Sequence, residues 1–97
     1  MAWIGTEVIG VTTEAVVYTS TGVTTVIIGV AIAPTSGSNA VVNVKKNTAH
    51  LIKGLTITAG TANSPIQPGQ KILMDVGDTL SVSSDTAVDV VISGYTE

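Results

Sequence analysis

Apolar and polar positions alternate along most of this chain with a period of two. From Ala40 to Lys46, Val42 and Val44 share one face, and Val41, Asn43 and Lys45 the other. Successive side chains of a strand point to opposite faces, so this alternation predicts a half-buried strand. The same reading places strands at Glu14–Thr19, Lys71–Val76, Thr79–Ser83 and Val88–Ser93. Ala2–Val11 alternates more loosely and reads as a strand or an arm, with residues 1–8 set apart as an N-terminal arm. His50–Thr58 loses its parity at Gly54, where a bulge is expected. Thr24–Ala33 is apolar on both faces: Val26, Ile28, Val30 and Ile32 are expected to point one way, Ile27, Gly29, Ala31 and Ala33 the other. A strand of that kind is covered on both sides, and the small residues of its second face admit another backbone at close range.

Turn residues punctuate these runs at Ser20–Gly22, Pro34–Asn39 and Asn47–Thr48. Ala59–Gly69 reads as a long loop, with Pro65 and Pro68 as strand breakers and Ile66 plugging the end of the core. Gly77 and Asp78 form a tight structural turn, in which the Asp78 carboxylate is expected to accept bonds from the backbone amides that follow it. About eight short strands at a spacing of roughly 8–12 residues predict an all-β fold, a small antiparallel β-sandwich or jelly roll. Residues 1–97 are long enough for one such domain.

Composition strengthens the β reading. Val, Ile and Thr make up 40 of the 97 residues, and β-branched side chains suit pleated surfaces better than helices. Only 11% of residues are charged, against about 25% in an ordinary soluble domain. Mean hydropathy is +0.51. A domain this small cannot hide so much apolar surface, which predicts a homo-oligomer or burial against other proteins. A monomer with a threonine- and serine-rich surface is the competing reading. Net charge is −3 without a single arginine, which argues against nucleic-acid binding. No apolar run approaches the ~18 residues of a membrane helix. Met1–Glu7 lacks a basic leader, so synthesis in a cytoplasm is expected.

Candidate chemistry is sparse. With no cysteine and one histidine, an ordinary structural zinc site is not expected. His50 has no acid near it in sequence and no Gly-x-Ser-x-Gly elbow to serve. Asp75, Asp78, Asp85 and Asp89 do not follow the calcium-loop spacing. Trp3, Tyr18 and Tyr95 are the only aromatics, too few to line a sugar cleft. These absences predict no catalytic residue, no metal, no cofactor and no enzyme. Trp3 either folds back over the end of the sandwich or anchors the arm to a neighbour. The interface candidates are therefore Trp3 and Ile4 in the arm, and Ile27, Gly29 and Ala31 on the small-residue face.

Four runs carry a family resemblance: Thr24–Gly29, Val41–Lys45, Leu51–Gly54 and Gly69–Ser84. With them go the Tyr18-Thr19 pair, the Gly77-Asp78-Thr79-Leu80 corner and the closing Ser93–Glu97. In this pattern the chain resembles small virion structural proteins of tailed bacteriophages, though its closing segment is one residue longer. The resemblance implies a non-enzymatic part of the virion, foremost a capsid decoration (cement) protein on the outer surface of the head. A neck, tail or fibre component is the alternative. Its partners would be copies of itself, the major capsid protein or other virion proteins, with no nucleic acid and no membrane. A carbohydrate- or receptor-binding module is the reading of another class. Ala59–Gly69, with no aromatic and no charged residue, speaks against it.

Overall fold

The computed structural model describes residues 2–61, 63–66 and 71–96, with 63–66 described by their backbone alone. These residues form nine strands: β1 (Ala2–Val11), β2 (Ala15–Thr19), β3 (Thr25–Pro34), β4 (Ala40–Lys46), β5 (Ala49–Ile57), β6 (Asn63–Ile66), β7 (Ile72–Met74), β8 (Thr79–Ser84) and β9 (Val88–Thr96). Every pairing is antiparallel. The first sheet runs β1-β9-β3-β6, with β7 also on β3; the second runs β2-β8-β4-β5. Because β6 and β7 meet different stretches of β3, they fill one strand position end to end. The pairs nest: β1 with β9, β2 with β8, β3 with β6 and β7, β4 with β5. Nested pairs wound over two facing sheets are the connectivity of a jelly roll. The all-β, antiparallel sandwich expected from the alternation is the fold observed.

The core lies between the sheets. Ile27, Val30 and Ile32 of β3 and Val88, Val90 and Ile92 of β9 join one cluster with Val42, Val44, Leu80 and Val82 of the facing sheet. Full burial of each such side chain contributes about 1.5–3 kcal/mol. Most are valine or isoleucine, so the layer is thin and each member carries a large share of it.

Bulges decide which residues reach that layer. In β1 the register slips between Val8 and Val11. Gly10 takes φ 72° there, and its N–H donates to the Asp89 carboxylate at 3.0 Å. The extra residue returns Val11 to the core. In β5 the bulge expected at Gly54 is present: φ is 71°, and the Gly54 N–H donates to Asn43 Oδ1 at 2.7 Å. Both conformations lie in the left-handed region that glycine enters without steric cost.

A third slip, between Ile27 and Gly29 in β3, corrects the expected faces of that strand. Ile27 does not share a face with Gly29 and Ala31. It lies in the core with Val30 and Ile32 and is fully buried, so it is unavailable to a partner. Opposite this slip, a Cβ on Gly94 would overlap the Val26 carbonyl oxygen, so the close approach of β9 to β3 requires glycine.

Two further expectations change. Over residues 2–8 the expected arm is not detached, because Ala2–Val8 pair in continuous register with β9 of the same chain. Ile4 accordingly faces inward, half-buried against the core. The loop expected at 59–69 contains β6, which includes Pro65 and pairs with β3 at Val30 and Ile32. Proline is tolerated on an edge strand, where one side of the backbone has no ladder partner. The expected plug at the Ile66 side chain, together with Pro68, Gly69 and Gln70, lies outside the described residues.

Candidate interaction surface

The outward face of the first sheet carries one line of apolar side chains across four strands. Trp3 of β1 is in register with Tyr95 of β9, Tyr95 with Val26 of β3, and Val26 with Leu73 of β7. Directly opposed residues of an antiparallel sheet stand on the same face, so these four form a row. The Trp3 and Tyr95 rings meet edge to face, with centroids 5.5 Å apart at 72°. Such a contact is worth about 0.5–1.5 kcal/mol beyond area burial. Trp3 nonetheless keeps 69% of its surface exposed and Leu73 56%, whereas Val26 between them is buried.

Beside this row the sheet is floored by small residues. Gly5, Ser93 and Gly29 are in register across β1, β9 and β3. Glu7, Val91 and Ala31 form the next line. A shallow, open depression lies here, lined by Gly5, Thr6, Glu7 and Val91. The ridge and floor offer a shaped, mostly apolar surface on which, among the described residues, the Glu7 carboxylate has no partner. Of the interface candidates, Trp3, Gly29 and Ala31 come together on this face. Ile4 and Ile27 stand on its reverse.

The carboxylates named from the sequence are occupied with the backbone. Asp78 accepts from the Asp75 N–H at 3.0 Å and from Asn47 Nδ2 at 3.1 Å. Its backbone partner thus precedes it, where a following residue was expected. Asn47, at φ 55°, also accepts from the Thr79 N–H at 3.0 Å, so the β4–β5 and β7–β8 turns are tied together. The Asn47 amide, the Asp75 N–H and Lys46 hold the Asp78 carboxyl below the ordinary value of 3.8. Asp85 accepts from the Val41 N–H at 2.8 Å, and Asp89 from Gly10 as described. His50 is exposed on edge strand β5. Among the described residues no three His, Cys, Asp or Glu side chains are gathered as a metal would require.

Sequence reasoning missed Tyr95 and Leu73 as neighbours of Trp3 and Val26, and Asp89 and Asn43 as partners of bulges. Neither contact has a local signal, since Asp89 lies 79 residues from Gly10 and Asn43 lies 11 from Gly54.

No protein-family model matches the chain, and no curated protein matches it. Among solved structures, the crystal structure of a pentameric capsid protein isolated from metagenomic phage sequences is similar at 17% identity and a TM-score of 0.44. The likeness covers 99% of this chain and 63% of that one, so the chain spans less than two thirds of its length.

Proposed function

We propose that this chain is a non-enzymatic structural component of a bacteriophage virion, a decoration protein that binds the outer surface of the head. The observation that carries the reading is the division of labour between side chains. Three of the four aspartates close the fold's own turns and bulges, while one sheet face is left with an exposed aromatic and aliphatic ridge. A face of that kind is spent on association. The pattern resemblance to small phage virion proteins gives the association its setting. Jelly rolls also recur in viral capsids, which is support by analogy of fold alone. The partners in this reading are a major capsid protein and further copies of the chain. Repetition over a symmetric shell turns a modest contact into stable attachment through avidity.

Sedimentation of the protein with emptied phage heads tests this directly. Co-sedimentation that saturates supports decoration. Binding to isolated tails or fibres alone would move the protein to those parts, the second reading. A glycan-array signal without binding to any particle component would replace both with a carbohydrate-binding module.

A further inference from the structure

The four edges of the sandwich are not alike. Edge strand β2 has five residues and a register slip between Val16 and Tyr18. β5 carries the Gly54 bulge and Lys53. The far edge of the first sheet is divided between β6, with its proline, and the three-residue β7. Short strands, bulges, lysine and proline are the devices by which proteins prevent edge-to-edge pairing. From Ala2 to Val8, β1 carries a single charge, Glu7, and none of the other devices; its bulge begins at Ile9. Among the described residues no strand lies along its outer edge.

The apolar positions of β1 are also placed symmetrically about Thr6. Trp3 and Ile9 lie three residues either side on the outward face, and they are the most exposed large apolar side chains described, at 69% and 73%. Ile4 and Val8 lie two residues either side on the inward face, both packed against the core. Gly5 and Glu7 flank the centre.

We propose that β1 pairs antiparallel with β1 of a second copy of this chain, about a two-fold axis through Thr6, joining two first sheets into one. The axis is perpendicular to the sheet, so outward residues oppose outward residues. Centred on Thr6, Trp3 meets the second copy's Ile9, Ile4 meets its Val8, and Glu7 meets its Gly5. Centring on Gly5 would set Trp3 against Glu7. Centring on Glu7 would oppose two like charges, which is unfavourable in a cross-strand pair. The Thr6 register alone matches apolar with apolar on both faces and leaves each glutamate room over a glycine. The proposal deepens the self-association within the decoration reading and rests on it, yet its test needs no phage head.

The chain contains no cysteine, so a single introduced thiol reports the register. Thr6→Cys is expected to form a covalent dimer under mild oxidation, whereas Thr56→Cys on the β5 edge is not. A Cβ at Gly5 meets no atom within 4 Å, so charged variants there leave the fold undisturbed. Gly5→Glu places a carboxylate opposite the second copy's Glu7 twice in each dimer. It is expected to weaken dimerisation in sedimentation equilibrium by roughly tenfold. Gly5→Lys is expected to dimerise at least as well as the unmodified chain, and the Gly5→Glu, Glu7→Lys double variant to recover it. A monomer at all concentrations overturns the proposal. So does equal weakening by Gly5→Glu and Gly5→Lys, or a dimer in which Thr6→Cys fails to cross-link. Head binding that survives any of these results leaves the decoration reading standing without this interface.

Discussion

The two sheets face solvent in different ways. The strands of the first sheet contain two charged residues, Glu7 and Asp89, and Asp89 is committed to the Gly10 bulge. The strands of the second contain Lys45, Lys46 and Lys53 and no acid. Lys45 pairs with Glu14 at 2.6 Å, and Asn43 bridges Ser83 and Gly54. The second sheet also exposes valines, but Val16 is in register with Ser81 and Val41 with Thr56. In the first sheet Trp3 and Leu73 are joined through Tyr95 and Val26 into one continuous apolar row. The contrast is one of contiguity more than count: scattered valines are ordinary surface, whereas a row continuous over four strands is the feature on which the proposed association rests.

Ile27 tests the face assignment of β3 with the largest effect. Ile27→Ala removes a fully buried side chain and is expected to cost about 3–4 kcal/mol of stability, read from denaturant unfolding. A cost below about 1 kcal/mol would return Ile27 to the outward face.

Asn43 probes the second sheet. Asn43→Ala leaves the Gly54 amide without its acceptor, with an expected cost of about 1 kcal/mol. Because the side chain serves the fold and no partner, head binding per folded molecule should not change. A loss of binding with no loss of stability would make the second sheet an interface too.

The smallest effect is a pH dependence at the turn that joins β7 to β8. The Asp78 carboxyl has a lower pKa folded than unfolded, so the folded state favours its charged form. Its stabilising contribution is fully present above the ordinary value of 3.8 and is lost as pH falls from there through the folded value. The melting temperature should therefore fall on acidification below that point, and Asp78→Asn should lessen the fall. An identical acid response in the variant would assign the effect to other carboxylates.

Much of this fold was legible in the alternation of Val, Ile and Thr. The expected strand at Ala40–Lys46 is β4, and the bulge at Gly54 followed from a break in parity beside a glycine. β6 escaped because Asn, Ser and Pro signal a loop locally, while pairing with β3 overrides that signal. The faces of β3 were misread because the slip between Ile27 and Gly29 falls within an apolar run that gives alternation no polar marker. Trp3 stood out as a residue but not as part of a surface. Its neighbour Tyr95 comes from the opposite end of the sequence, and only the closure of β1 on β9 brings the two together.

The central claim is that the Trp3–Tyr95–Val26–Leu73 face is the one that engages the particle. Binding of Trp3→Ala and Val16→Ala to emptied heads, measured by sedimentation and normalised to folded protein, tests it most directly. Val16 is 56% exposed on the opposite sheet and serves as the matched control. Loss of an aromatic anchor worth about 2 kcal/mol should weaken binding by Trp3→Ala roughly 30-fold, with Val16→Ala within about twofold of the unmodified chain. Equal binding by the two variants, or a larger loss from Val16→Ala, would contradict the assignment of the face.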